Sequence, residues 1–158
     1  MPISEPQARR GTPRQVVGVA IRTTNASEVD PATALIPGLW SRFSAEGWAD
    51  RLGKLGARGP TLAVYSRYES DASGSYQLLV GRELRGRAPD GDALETEMIP
   101  QGEYLVFSCP GPLPQAVIDG WRTVWSFFER PEAPARAYTA DFEVYSDSQP
   151  VEIWVATR

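Results

Sequence analysis

An internal repeat constrains the fold of this chain more than any other feature of its sequence. Residues Thr61–Ser66 read TLAVYS, and residues Asp141–Ser146, 80 positions later, read DFEVYS. In each half, a segment with helical spacing and paired aromatic residues precedes this strand-like stretch. Self-similarity at a fixed spacing is typical of a chain built from two copies of one structural module.

The two copies differ at one position that matters for function. Ala63 of the first copy corresponds to Glu143 of the second, which places a carboxylate within an apolar, aromatic strand. A buried carboxylate without a partner costs several kcal/mol, so such a residue is expected to meet a cation or hydrogen-bond donors. Two other interpretations remain open: Glu143 lies on a solvated sheet face, or it pairs with an arginine such as Arg67 or Arg82.

Residue patterns predict the same order of elements in each module, namely strand, helix, strand, strand. A fold of the α+β class follows, a pseudo-twofold tandem with antiparallel sheets and two main helices. Asp30 is the expected N-cap of the first helix, and Pro37 and Gly38 are candidate breaks in it. The predicted strands are Gln15–Ile21, Thr61–Tyr68, Tyr76–Leu84, Glu95–Ile99, Gly102–Cys109, Ala140–Tyr145 and Val151–Ala156, and the predicted helices cover about 31–52 and 114–129.

A length of 158 residues, 42% of them apolar, fits one domain with its own core. Residues 1–13 are polar and are expected to form a disordered lead-in. The remaining residues, 14–158, form the predicted domain. Its modules cover about 14–92 and 93–158, with the boundary in a polar stretch rich in glycine and proline.

Several function classes are excluded by composition. The chain has no histidine and a single cysteine, Cys109, so histidine-dependent catalytic triads, zinc fingers and internal disulfides cannot form. We therefore expect no metal and no cofactor. The net charge is -4 and no run of lysine and arginine occurs, so direct nucleic-acid binding is not supported. No apolar run approaches the roughly 20 residues that span a bilayer. A cytoplasmic protein without membrane association is expected.

Strand alternation assigns residues to faces of the sheet. Glu143 and Tyr145 share one face with their counterparts Ala63 and Tyr65, and Phe142 and Val144 are expected on the other, beneath the helices. On the last strand, Val151, Ile153 and Val155 are expected to face the helices, with Trp154 on the opposite side. Tyr104 is a candidate wall residue, Trp40 and Trp125 occupy similar places on the two helices, and Trp121 is expected in the plain core.

Short segments spread through the chain resemble those of GyrI-like small-molecule-binding domains, which also serve as effector-binding domains of some AraC-type and MerR-type regulators. Their order and spacing over roughly residues 14–157 carry the resemblance, since each segment alone is short and apolar. The segments are Val16–Val19, Ile36–Trp40, Gly59–Pro60, Ala63–Tyr65, Ile99–Tyr104, Trp121–Trp125, Asp141–Tyr145 and Val151–Val155.

The resemblance implies a pocket between the modules that is lined by aromatic residues, has Glu143 at its base and accepts lipophilic, cationic aromatic molecules. It favours drug sequestration or effector sensing in a bacterial cytoplasm. Thirteen polar residues before the domain cannot supply a helix-turn-helix, so a stand-alone form is expected, and any partner regulator is unknown. The predicted ligand-binding residues are Trp40, Tyr65, Tyr104, Trp125, Glu143, Tyr145 and Trp154.

Two alternatives to simple binding remain open at this point. A hydrolase of reactive electrophilic molecules could use Glu143 with Tyr65 or Tyr145, because burial can raise a glutamate pKa towards neutrality. An interaction with a protein such as DNA gyrase is the other alternative, although the acidic residues are scattered rather than patterned. The sequence identifies no catalytic residue and favours a binding protein over an enzyme.

Overall fold

A computed structural model describes residues 5–87 and 94–158. The eight strands in these residues join one antiparallel sheet in the order β1-β6-β8-β7-β3-β4-β2-β5. This arrangement confirms the predicted α+β fold and merges the sheets of the two modules into one. The strands are β1 (Gln7–Gly11), β2 (Arg14–Thr24), β3 (Arg58–Ser66), β4 (Ser75–Glu83), β5 (Glu95–Ile99), β6 (Gly102–Cys109), β7 (Ala140–Tyr145) and β8 (Val151–Ala156).

Four helices accompany the sheet in the described residues: α1 (Asn25–Glu28), α2 (Ile36–Ala45), α3 (Trp48–Lys54) and α4 (Gln115–Phe128). The first predicted helix is therefore divided, and the break lies at Gly47 rather than at Pro37. Gly47 adopts φ 65°, a left-handed conformation that suits glycine, whereas Pro37 sits in the first turn of α2, where a missing N–H costs nothing. The start of α2 is held by Glu28, whose carboxylate accepts from the backbone N–H groups of Leu35 and Ile36.

The two modules exchange their first strands. β5 is the first strand of the second module but pairs with β2 of the first module, and β1 lies ahead of the first module but pairs with β6 of the second. The edge strand of each half of the sheet thus comes from a chain segment outside that half's own module. The exchange joins the halves at both ends as well as at the centre, where β3 pairs with β7.

The expectation of a disordered lead-in is wrong for Gln7–Gly11, which forms β1. Its side chains are mostly exposed and polar, so the segment carries no apolar alternation that would reveal a strand. Backbone pairing with β6 holds it in place instead. The predicted module boundary falls largely on residues 88–93, and the start of the lead-in on residues 1–4; both segments lie outside the described residues.

The two faces of the sheet carry separate cores, and one face assignment is wrong. Val151, Ile153 and Val155 pack with α4, as predicted. Phe142 and Val144 do not face the helices; they join the core on the opposite face of the sheet. Because Glu143 pairs directly with Ile153 across the β7–β8 ladder, the two side chains share a face, and the helix-facing side and the carboxylate side are one and the same.

Within residues 5–87 and 94–158, no helix combines the length and hydrophobicity needed to cross a bilayer. The same residues contain no cluster of three or more acidic or thiol side chains arranged to hold a metal ion.

Candidate functional site

Glu143 lies at the centre of the molecule, on the pseudo-twofold axis that relates the modules. The repeat equates Ala63 with Glu143, and the β3–β7 ladder also pairs Ala63 directly with Glu143. A residue that pairs with its own counterpart marks the position of the axis. Both are almost completely buried, so two glutamates here would place like charges opposite each other at short range. The small Ala63 side chain lets a single carboxylate occupy this position.

Three neutral donors converge on the Glu143 carboxylate. The Tyr65 hydroxyl donates to Oε2 at 2.8 Å, and the Trp121 indole Nε1 donates to the same oxygen at 2.6 Å. The Tyr145 hydroxyl donates to Oε1 at 2.6 Å. Tyr65 and Tyr145 are repeat counterparts, so the single carboxylate accepts a hydrogen bond from the equivalent tyrosine of each module.

Each of these tyrosines is covered by a tryptophan from the helix of the other module. Trp40 of α2 packs edge-on against Tyr145 at 4.9 Å between ring centroids, and Trp121 of α4 packs edge-on against Tyr65 at 5.1 Å. Trp121, rather than Trp125, is therefore the counterpart of Trp40. Trp125 lies further out, 6.4 Å from the Trp121 ring, with 40% of its surface exposed.

The expectation that Trp121 belongs to the plain core is wrong, since its indole N–H contacts Glu143 directly. A signal for this role was present in the sequence: Trp121 follows Trp40 by 81 positions, within one residue of the spacing that relates Ala63 to Glu143.

Burial dominates the electrostatics of the site. Glu143 is 1% exposed, and this burial raises the pKa of its carboxyl above the ordinary value, although the bonds from Trp121, Tyr145 and Tyr65 act to lower it. Burial, with the neighbouring Glu143 charge, also raises the pKa of Tyr65 and of Tyr145 far above the ordinary tyrosine value. Both hydroxyls therefore keep their protons and remain donors.

A second buried carboxylate on the same strand has a positively charged partner, unlike Glu143. Asp141 is fully buried and accepts from Arg136 at 2.7 Å, from the Tyr68 hydroxyl at 2.5 Å and from the backbone N–H of Ala156. Arg136 neutralises its charge. Among the described residues, Glu143 receives only the three neutral donors and has no basic side chain within ion-pair distance.

Two of the predicted site residues lie away from Glu143. Tyr104 and Trp154 belong to the core on the opposite face of the sheet, where Trp154 stacks on Phe142 at 5.2 Å and the Tyr104 hydroxyl donates to the Pro100 carbonyl. Alternation separates the two faces of a strand, but it does not say which face the helices cover.

Neither arginine proposed as a partner for Glu143 reaches it. Arg82 donates to the carbonyls of Gly59 and Ala49, and Arg67 pairs with Glu97. The interpretation of Glu143 as a solvated or arginine-paired residue is therefore wrong.

Gly120 sets the height of α4 above the sheet. A Cβ atom at this position would lie 2.5 Å from the Cys109 sulfur and 2.9 Å from Cδ1 of Ile153, both too close for real contacts. Glycine therefore lets the helix approach β6 and β8 closely. Trp121 is the next residue along, so this close approach brings its indole within reach of Glu143.

A surface depression of about 610 Å³ lies elsewhere, lined by Gly56, Arg58, Gly59, Glu83 and Arg85. It shares no residue with the Glu143 site, and its two arginines give it little attraction for a cation. The buried carboxylate makes the Glu143 site the stronger candidate for a functional site. In this structure the protein's own aromatic side chains fill that site.

The two-module sheet with helices on one face is the architecture of GyrI-like effector-binding domains. The chain belongs to the Cass2 family of integron-associated effector binding proteins, whose family model matches residues 12–157.

Similar proteins cover nearly the whole chain. The integron cassette protein VCH_CASS2 from the mobile metagenome of Vibrio cholerae is 32% identical, with a TM-score of 0.82 over 99% of this chain and 97% of that one. YobU of Bacillus subtilis (strain 168), a proposed transcriptional regulator, is 28% identical over 141 residues, which cover 87% of this chain and 84% of YobU. SAV2435, solved bound to tetraphenylphosphonium, shares the fold with a TM-score of 0.78 at 21% identity, over 98% of this chain and 94% of that one.

Proposed function

We propose that this protein binds lipophilic aromatic cations, with Glu143 as the counter-charge and Tyr65, Tyr145, Trp40 and Trp121 as the surrounding aromatic surface. The observation that carries the proposal is the buried carboxylate of Glu143, which receives three neutral donors and no cation from residues 5–87 and 94–158. A second buried carboxylate on the same strand is neutralised by Arg136, so the fold can supply a cation to a carboxylate, and the described part of the chain supplies none to Glu143. A ligand is the natural source of the missing positive charge.

The surrounding rings suit such a ligand. Tyrosine and tryptophan faces attract a cation by about 0.5–2 kcal/mol each, and more when water is excluded. A carboxylate in a poorly hydrated site also attracts a positive charge more strongly than one in water does. The fold neighbour SAV2435 was solved with tetraphenylphosphonium, a permanent cation shielded by four phenyl groups, which is the ligand chemistry proposed here.

Entry of a ligand requires side chains to move. The rings of Trp40 and Trp121 lie against the tyrosines that bond Glu143, and Trp125 forms the outer, exposed part of this surface. We expect the exposed Trp125 ring to move aside as the cation enters, while the Trp121 indole keeps its hydrogen bond to Oε2. Trp125 is then a wall residue at the mouth of the site.

The test is a thermal-shift and tryptophan-fluorescence titration with tetraphenylphosphonium and with tetraphenylborate, an anion of the same shape. Binding to the native state raises Tm by mass action, so the cation should raise Tm and the anion should not. Glu143→Gln should lose this response. Glu152→Gln, which removes a carboxylate hydrogen-bonded to Trp154 on β8, is the matched control and should keep it. Equal responses of wild type and Glu143→Gln would refute the role of Glu143.

A further inference from the structure

Side chains of the protein occupy most of the hydrogen-bond acceptor positions of the Glu143 carboxylate. An ionised carboxylate has about four lone-pair positions on its two oxygens. Tyr65 and Trp121 occupy both positions on Oε2, and Tyr145 occupies one of the two on Oε1. One position on Oε1 therefore remains for a ligand.

All three occupying groups remain donors to Glu143 as long as its carboxylate is ionised. An indole N–H is a donor only. The raised pKa values of Tyr65 and Tyr145 keep both phenols protonated at neutral pH, and each hydroxyl hydrogen is directed at Glu143. The site thus offers a ligand a negative charge and ring faces, but few free acceptors.

On these grounds we propose that the site selects onium cations without N–H groups, such as quaternary ammonium and phosphonium ions, over protonated amines of similar shape. This inference rests on the proposed function and names the ligand class more closely. A primary ammonium brings three N–H donors, and each must find an acceptor when it leaves water. One can reach Oε1, and the others have only the uncharged tyrosine oxygens as acceptors or stay unpaired. A quaternary cation loses no such bonds and still gains the charge attraction and the cation–π contacts.

Two cations with the same aromatic group test the inference by isothermal titration calorimetry. Biphenylmethyl-trimethylammonium and biphenylmethyl-ammonium both carry one positive charge at neutral pH, and biphenylmethanol serves as the neutral reference. One unpaired buried donor corresponds to a loss of about tenfold in affinity. We therefore expect the trimethylammonium compound to bind about tenfold or more tightly than the primary ammonium compound.

Because methylation also makes the ligand more lipophilic, a variant is needed to attribute the preference to hydrogen bonding. Tyr145→Phe keeps the ring that Trp40 contacts and frees a second acceptor position on Oε1, so the preference should narrow several-fold. Tyr76→Phe is the matched control. Tyr76 lies beside Tyr65, but its hydroxyl donates to Asn25 rather than to Glu143, so the preference should not change.

The outcomes separate the two proposals. If both cations bind equally and more tightly than biphenylmethanol, the selection inference is overturned and the proposed function stands. If neither cation binds more tightly than biphenylmethanol, the proposed function fails together with the inference. A preference that is the same in Tyr145→Phe as in wild type overturns the explanation through acceptor occupancy.

Discussion

Replacing Glu143 by glutamine should stabilise the protein even though it removes the proposed ligand charge. The new amide has the shape of the carboxylate, and its oxygen can take the place of Oε2 and accept from Tyr65 and Trp121. Its NH₂ group then lies at the position of Oε1 and can donate to the Tyr145 hydroxyl oxygen, which accepts as well as donates. Every polar atom of the glutamine side chain keeps a partner and the uncompensated charge disappears, while the Tyr145 hydroxyl hydrogen loses the acceptor that Oε1 provided.

The size of the effect follows from two opposing contributions. Removing a carboxylate from water costs several kcal/mol, whereas each hydrogen bond to a charged group contributes about 1.5–3 kcal/mol, compared with about 1 kcal/mol for a neutral one. These contributions nearly cancel, and the raised pKa of Glu143 shows that the cost of burial is the larger. We expect Glu143→Gln to be more stable by about 1 kcal/mol at neutral pH, which is a Tm increase of about 2–4 °C for a chain of this length.

The difference should depend on pH with a defined sign. A carboxyl group whose pKa is raised on folding destabilises the native state above that pKa, because the folded protein holds the charge less readily than the unfolded chain does. Below the ordinary glutamate pKa the group is protonated in both states and the penalty is gone. The stability of wild type should therefore approach that of Glu143→Gln as the pH is lowered from neutral.

Urea denaturation followed by tryptophan fluorescence, at several pH values, measures both the difference and its pH dependence. Glu152→Gln provides the matched control on the neighbouring strand, and its partly exposed side chain should change stability by no more than about 0.5 kcal/mol. A Glu143→Gln variant that is less stable than wild type by about 1 kcal/mol or more at neutral pH would refute the reasoning. So would a difference that stays constant as the pH falls.

Two further predictions concern the buried Arg136–Asp141 pair and the close approach of α4 to the sheet. Arg136→Met should destabilise the protein by about 3–5 kcal/mol, because it leaves Asp141 as an uncompensated buried charge; Asp141→Asn combined with it should recover part of the loss, and urea denaturation of both variants tests this. Gly120→Ala should destabilise by about 1 kcal/mol, because the added methyl group overlaps the Cys109 sulfur. Gly38→Ala, in a helix with open space around the glycine, should instead gain up to about 1 kcal/mol. Equal effects at the two glycines would contradict the close-packing argument.

Local patterns determined most of the elements of this chain. Glu95–Ile99, Gly102–Cys109, Ala140–Tyr145 and Val151–Ala156 form strands with the predicted bounds, because each is a short apolar or β-branched run between turn residues. The strand Gln7–Gly11 was missed, because an edge strand held by backbone pairing needs no apolar side chains.

The repeat in the sequence was sufficient to select Glu143 and to relate Tyr65 to Tyr145. It contained the spacing that relates Trp40 to Trp121 as well, but the prediction paired Trp40 with Trp125 and assigned Trp121 to the core. How far each side chain lies from the carboxylate depends on how closely α4 approaches the sheet, and Gly120 sets that distance through contacts with β6 and β8.

Only the tertiary structure decided which face of the sheet carries the site. Alternation along a strand separates two faces, but their environments depend on where the helices pack and on which strands pair. The β7–β8 register places Glu143 beside Ile153 under α4. The same register places Trp154 in the core on the opposite face of the sheet. The charge balance also depends on the fold: Arg136 reaches Asp141, and within the described residues no arginine reaches Glu143. Which charged side chains meet a buried carboxylate is fixed only when the surrounding strands and helices have packed.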